Sequence, residues 1–306
     1  MQILIHAPDA EQWRQHLARH LPRASLLTTE QEGEQPADYL VVWQPPRSLF
    51  EAQDERLRAI LNTGAGVDAL LANPALPRGI PLVRLQDAGM GESMSDYLLY
   101  GLLHFHRGMD HYHRQQHEQR WQEHPLEEKA QWPVGIVGLG TLGRVAARRV
   151  AALGYPVQGW SRSPKTLDGM TCHHGEAGLN RLLAESRVIF SLLPDTPETR
   201  GLLDHERLGR LPEGAVVINA GRGSSLVLDD LQALLESGHL RGALLDVFPE
   251  EPLPAGHPLW QQPRALITPH IAAPTPIATA ARQIADNIAA LERGDTVETV
   301  DPERGY

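Results

Sequence analysis

Pro133-Val134-Gly135-Ile136-Val137-Gly138-Leu139-Gly140-Thr141-Leu142-Gly143 reads as a short apolar strand running into G-x-G-x-x-G. The Arg144-Val145-Ala146-Ala147-Arg148-Arg149-Val150 stretch after it reads as a helix. Strand, glycine turn and helix in that order make a dinucleotide pyrophosphate site. Gly138 allows the tight turn, Gly140 lets backbone approach the phosphates, and Gly143 lets the helix sit close on the sheet. Thr141 and Leu142 open the helix, whose first N–H groups point at the anion. A turn without a ligand is the alternative. The second strand expected at 156–160 favours the cofactor site.

The end of that second strand bears on which nicotinamide cofactor binds. An acidic residue there holds a ribose 2′-hydroxyl, whereas a 2′-phosphate asks for cations and small donors. The chain reads Trp160-Ser161-Arg162-Ser163-Pro164-Lys165, with no carboxylate before Asp168. Arg162 can fork onto a phosphate, Lys165 adds a point charge, and Ser161 and Ser163 can donate. Lys165 is one of only two lysines in the chain. A solvated turn with incidental charge is the other reading. NADPH is the expected cofactor, with NADH a weaker possibility.

Composition narrows the partners. The 306 residues carry a formal charge of −10, which argues against nucleic acid or an anionic membrane. No apolar run approaches the length of a bilayer span, and Met1-Gln2-Ile3-Leu4-Ile5 reads as a first strand rather than a signal peptide. The single cysteine, Cys172, excludes an internal disulfide framework and fits the cytoplasm.

Working outward, runs at 3–6, 39–43 and 82–85 alternate with helical stretches and predict a small α/β unit. A long polar helix is expected from Glu92 through Arg120. After the glycine motif, near-continuous apolar strands at 157–160, 188–193, 215–219, 243–247 and 265–268 predict a parallel sheet covered on both faces. A last helix over 275–293 is expected to return to the first unit. The fold class is therefore α/β, with two Rossmann-like domains, flavodoxin-like and dinucleotide-binding. Residues 1–96, completed by 275–306, form the expected substrate domain, and 97–274 the dinucleotide domain.

Three later segments place polar residues just past strand ends, where open α/β sheets gather ligands. They are Asn219-Ala220-Gly221-Arg222-Gly223, Leu245-Asp246-Val247-Phe248-Pro249-Glu250-Glu251-Pro252, and Thr268-Pro269-His270. Singly, Arg222 could be a surface ion pair, Glu251 a loop charge and His270 a turn residue. Their joint order, with Asn62-Thr63-Gly64-Ala65-Gly66-Val67-Asp68, resembles the D-isomer-specific 2-hydroxyacid dehydrogenase family over nearly the whole chain. The short first domain, Trp43-Gln44-Pro45-Pro46 and the 160–163 turn look most like its bacterial glyoxylate/hydroxypyruvate reductase A branch.

The resemblance implies an active-site cleft between the two domains. It also implies that His270 protonates the substrate carbonyl oxygen while Glu251 orients the imidazole and favours its protonated form. Arg222 would clamp the 2-keto acid, and the Ala65 and Gly66 amides would cradle its carboxylate. Asp246 would accept from the nicotinamide carboxamide, and Leu193, Pro194, Thr196, Thr199 and Ala220 would border the cofactor. The missing acid after Trp160 departs from the broad family and supports NADPH. Trp43 has two readings, a limit on substrate size or a packing anchor.

His106, Asp110, His113 and His117 share one face of the expected long helix, spacing that could build a metal site. A solvated or subunit-contacting face is the preferred reading, since the family's corresponding helix helps form a dimer; no metal is expected and a homodimer is. The expected reaction is NADPH-dependent reduction of glyoxylate or hydroxypyruvate. An NAD-linked dehydrogenase of 3-phosphoglycerate or formate type is the first alternative; the chain leaves no room for the regulatory tail of the former. A dinucleotide-sensing protein without turnover is the second.

Overall fold

The computed structural model describes residues 1–302 and Gly305. The chain divides into two units, Met1–Met90 with Thr275–Tyr306, and Gly91–Pro274. Of the expected completing segment 275–306, positions 303, 304 and 306 lie outside the described residues.

The first unit contains β1 (Gln2–His6), α1 (Ala10–His20), β2 (Ser25–Thr28), α2 (Thr29–Glu32), β3 (Tyr39–Val42), α3 (Arg47–Glu51), β4 (Ala59–Asn62), α4 (Asp68–Leu71) and β5 (Leu82–Val83). The strands form one parallel sheet in the order β2-β1-β3-β4-β5. Ile3, Leu4 and Ile5 are fully buried, each contributing about 1.5–3 kcal/mol of transfer energy. The reversal of strand order falls between β1 and β3, so ligand-facing loops are expected at the carboxyl ends of these strands. Two strands here were not legible. No strand was expected at β4, whose last residue, Asn62, opens the 62–68 motif, and β2 is a half-exposed edge strand.

The second unit begins with α5 (Met90–His106) and α6 (Met109–His117). These replace the single helix expected from Glu92 to Arg120. Gly108, at φ +68, breaks it in the left-handed region. β6 (Val134–Val137), α7 (Thr141–Ala152), β7 (Val157–Ser161), β8 (Thr171–His174), α8 (Gly175–Glu185) and β9 (Val188–Ser191) follow. α9 (His205–Leu208), β10 (Ala215–Asn219), α10 (Leu228–Glu236), β11 (Leu240–Leu245) and β12 (Ala265–Ile267) complete the unit. Its seven parallel strands run β12-β11-β10-β9-β6-β7-β8. The missed strand, β8, is a polar edge: Thr171-Cys172-His173-His174, with His173 bonded to Gln158 at 2.8 Å.

Side chains alternate across this sheet. Ile189, Val217 and Leu245 belong to one core, and Ile136, Phe190, Ile218 and Leu244 to the other. α7 buries Gly143, Ala146, Ala147 and Val150, a stripe of small residues that brings the helix close to β6. α5 lies on the same face of the sheet. A Cβ on Gly101 would stand 2.6 Å from Ile218 and 2.7 Å from Leu244.

The last helix, α11 (Ile277–Glu292), packs against α1 in the first unit. Its buried stripe is Ala280, Ala281, Ile284, Ala285 and Ile288. Glu292 accepts the Tyr39 hydroxyl at 2.7 Å and pairs with Arg58 at 2.5 Å. Among the described residues, no helix is long and apolar enough to cross a membrane.

Candidate active site

In the second sheet the strand order reverses between β6 and β9, and the glycine turn sits at that switch point. Leu192 N–H bonds to Val137 O at 2.9 Å, and the N–H groups of Gly138 and Leu139 both donate to Trp160 O. Gly138 has φ +115, and a Cβ there would lie 2.7 Å from the Leu192 carbonyl oxygen. A Cβ on Gly143 would collide with the Gly138 carbonyl. Gly140 faces open space, is exposed and caps α7 without a side-chain hydrogen bond. Two glycines are thus required by the protein, and the third leaves room for a ligand. Thr141 and Leu142 are half-buried at the helix start. The turn fits a dinucleotide pyrophosphate.

Ser161 is buried at the end of β7, and its hydroxyl donates to Ser163 O at 2.8 Å. Arg162 is exposed and pairs with Glu198 at 3.3 Å. Lys165 reaches back to the glycine turn, where Nζ donates to Leu139 O at 2.8 Å. Burial, and then the charge of Arg144, hold the Lys165 amine below the usual lysine range. No carboxylate lies between Trp160 and Asp168 in sequence, and these donors suit a phosphate better than a ribose hydroxyl.

The loop after β9 passes beside this turn at Leu192 and Leu193 and continues through Pro194 to Thr199. Thr199 Oγ1 donates to Pro194 O at 2.6 Å and accepts from Thr196 N–H at 2.9 Å, so the loop holds its own shape. Asp195 accepts from Arg200 at 2.7 Å and Ser224 at 2.8 Å, which ties the loop to the segment following Arg222. The Arg200 hydrogen bond, followed by that of Ser224, holds the Asp195 carboxyl below the usual range against burial.

Past β10, Ala220 is buried and Gly221 packs so tightly that a Cβ would stand 2.6 Å from Leu193 N. Asn219 Oδ1 accepts Gly221 N–H at 3.3 Å, and its Nδ2 donates to Arg222 O at 3.3 Å. A Cβ on Gly223 would collide with the Phe248 backbone. Arg222 is thereby held half-buried, with Nη1 donating to Gly221 O at 2.9 Å.

His270 lies in the left-handed region, at φ +56, which few non-glycine residues adopt. Asp246 explains how it is held there. Its carbonyl accepts the His270 N–H at 2.8 Å. Its carboxylate is buried and accepts three more bonds: Thr268 Oγ1 at 2.6 Å, Ile271 N–H at 2.8 Å and Ala272 N–H at 2.8 Å. Thr268 spends its proton on Asp246, so the Tyr97 hydroxyl donates to Thr268 at 2.5 Å. Burial pushes the Tyr97 phenol well above its ordinary range. Tyr97 and Thr268 were missed as contributors. The legible signal was a hydroxyl two residues before the histidine; nothing in the sequence pointed to Tyr97.

Glu251 Oε2 accepts from His270 Nδ1 at 2.8 Å, and its Oε1 accepts the Phe248 N–H at 2.9 Å. The carboxylate is fixed at both ends, and Nε2 is the nitrogen left to exchange a proton. The second unit therefore gathers Arg222, Asp246, Glu251 and His270 at the carboxyl ends of neighbouring strands β10, β11 and β12.

In the first unit, Asn62 ends β4 and its amide donates to Gly64 O at 3.0 Å and Gly66 O at 2.7 Å. That folds the 63–67 loop and leaves Ala65 and Gly66 half-buried. Trp43 is half-buried against the loop, its ring so close to Gly64 that an added Cβ would strike it.

The four candidate metal residues go separate ways, with His117 exposed at the end of α6. His106 is buried between the Tyr155 hydroxyl and Glu127 O, at 2.6 and 2.8 Å. Asp110 pairs with Arg241 at 2.7 Å, and the His113 ring lies against His104. The break at Gly108 takes the set off a single helical face. Among the described residues no group of three His, Cys, Asp or Glu side chains could hold a metal ion.

The D-isomer specific 2-hydroxyacid dehydrogenase NAD binding domain model matches residues 99–272. The chain belongs to the D-isomer specific 2-hydroxyacid dehydrogenase family. Among its relatives, the glyoxylate/hydroxypyruvate reductase A of Serratia proteamaculans is 42% identical over 314 residues, covering 100% of both chains. A family member from Xanthobacter autotrophicus Py2, solved in complex with NADPH and MES, superposes with TM-score 0.94 at 39% identity, over 100% of this chain and 99% of that one. The NADPH-dependent glyoxylate/hydroxypyruvate reductase of Sinorhizobium meliloti, in complex with NADP and sulfate, gives TM-score 0.93 at 34% identity, with the same coverage.

Proposed function

We propose that this family member catalyses NADPH-dependent reduction of small 2-keto acids, glyoxylate to glycolate and hydroxypyruvate to D-glycerate. The observation that carries the reading is the Glu251–His270 pair at 2.8 Å, held on a backbone that Asp246 anchors. The relatives' names and bound cofactors support the substrate class and NADPH. Bound NADPH supplies a hydride to the carbonyl carbon.

The chain's own residues do the rest. His270 Nε2 gives a proton to the carbonyl oxygen, while Glu251 keeps Nδ1 engaged and the ring aimed. The pair is more than a third exposed, so solvent can restore the proton after each turnover. Arg222, a permanent cation, binds the substrate carboxylate and stabilises charge developing on the carbonyl oxygen. The N–H groups of Ala65 and Gly66 take the carboxylate, and Trp43, resting on Gly64 of that loop, limits the side chain to a small one. Asp246 has about four acceptor positions, of which three are filled by its own loop. The remaining one accepts from the nicotinamide carboxamide. Gly138, Gly140 and Gly143, with Thr141 and Leu142, take the pyrophosphate. Ser161, Arg162, Ser163 and Lys165 take the 2′-phosphate, and Leu193, Pro194, Thr199 and Ala220 line the rest of the cofactor.

The same reading makes the protein a cytoplasmic homodimer. A lone cysteine supports the compartment. Exposed Tyr100 and Leu103 on α5, with exposed Trp121 and Leu126, support a second copy as a contact.

His270→Asn tests the acid. Asparagine tolerates positive φ better than most residues, so the loop keeps its backbone. We expect turnover to fall by about 10²-fold or more, with NADPH binding retained in a fluorescence titration. Undiminished turnover would remove His270 from the mechanism.

A further inference from the structure

Arg144 follows the third glycine of the turn and lies in the first turn of α7, exposed to solvent. Its Nε is 3.4 Å from the Leu139 carbonyl oxygen, the same oxygen that receives Lys165 Nζ at 2.8 Å. Two cations from separate elements, one on α7 and one on the loop after β7, therefore converge on a single neutral acceptor. Among the described residues neither has a carboxylate partner. Arg162, on the same loop as Lys165, is by contrast paired with Glu198.

Holding like charges together without a counterion is unfavourable, and an anion seated between them would reverse the sign. Burial lowers the Lys165 amine, and the neighbouring Arg144 charge lowers it further. The position indicates which anion. Leu139 lies inside the glycine turn, and Lys165 stands four residues past Ser161, the end of the strand where family members using NAD carry an acid for the ribose. A phosphate on that ribose would meet both cations, and a guanidinium can engage two of its oxygens at once.

We propose that Arg144 is a cofactor-specificity residue, forming with Lys165 the cationic seat for the 2′-phosphate of NADPH. This rests on the assignment of NADPH above, and binding measurements separate the two. Dissociation constants are measured for NADPH, NADH, adenosine 2′,5′-bisphosphate and ADP, on the wild type, Arg144→Gln and Arg148→Gln. Arg148 is exposed one turn further along α7 and serves as the control.

Arg144→Gln is expected to weaken NADPH and the 2′,5′-bisphosphate about 10-fold, the scale of one hydrogen bond to a charged group. NADH and ADP should bind as before, and Arg148→Gln should match the wild type throughout. Equal weakening of NADPH and NADH would assign Arg144 to the pyrophosphate or to helix stability and overturn the proposal. So would unchanged NADPH binding. A wild type that binds NADH as tightly as NADPH would overturn the cofactor assignment itself, and the seat with it.

Discussion

Glu251 has two donors to satisfy, the Phe248 N–H on one oxygen and His270 Nδ1 on the other. A carboxylate accepts both, whereas an amide offers only one acceptor atom. Glu251→Gln must therefore present an NH₂ group to one of them. We expect kcat for ketoacid reduction to drop about 100-fold, with the NADPH dissociation constant unchanged, because the glycine turn is untouched. Equal kcat in the variant and wild type would show that Glu251 does not orient the histidine. Arg222, Glu251 and His270 stood out in the sequence only jointly, by their order after apolar strands and the family resemblance that order carries; singly, each read equally as a surface or loop residue. The inward bonding of Asp246 was not. An aspartate past a strand end reads equally well as a cofactor ligand or as the anchor of a neighbouring loop, and the donors Thr268, Ile271 and Ala272 come from more than twenty residues away. Trp43 was equally ambiguous, a size limit or a packing anchor, and its ring rests against Gly64.

At the scale of elements, the strand–glycine–helix unit was readable because steric demand is local. Gly138 needs its positive φ, and Gly143 must clear the Gly138 carbonyl. The α5–α6 break was not readable, since an isolated glycine inside a helical pattern is tolerated at a cost and need not end the helix. With the break in place, Asp110 enters α6 and pairs with Arg241 of β11, the partners only 22% and 16% exposed. Burial alone would raise the Asp110 carboxyl; hydrogen bonding and charge from Arg241 outweigh it and hold it below the usual range. A carboxyl lowered by folding stabilises the fold above its unfolded pKa, and that contribution is lost as pH falls through the folded value. Asp110→Asn should therefore cost about 2–4 kcal/mol in urea unfolding at pH 7. The gap between variant and wild type should narrow once the buffer falls below the ordinary aspartate range. A gap that stayed constant through acid would mean that the pair contributes packing and no charge.

For the whole molecule, both parallel sheets place their candidate site loops at strand carboxyl ends: the 63–67 loop in one unit, the glycine turn and the Arg222, Asp246 and His270 loops in the other. Buried apolar strands made most of the second sheet legible, whereas β2 and β8 escaped as edge strands, β8 a polar one, and β4 as a four-residue strand running directly into the 62–68 motif. The chemistry follows from the loops rather than from the sheets. Steady-state oxidation of NADPH, with NADH in parallel, against glyoxylate, hydroxypyruvate, pyruvate and a bulkier 2-keto acid tests that chemistry in one experiment. We expect rapid turnover of glyoxylate and hydroxypyruvate with NADPH, slower turnover with NADH, and little with the bulky acid. Tight NADPH binding with negligible turnover on all four acids would contradict the assignment of a reductase and leave a nucleotide-binding protein in its place.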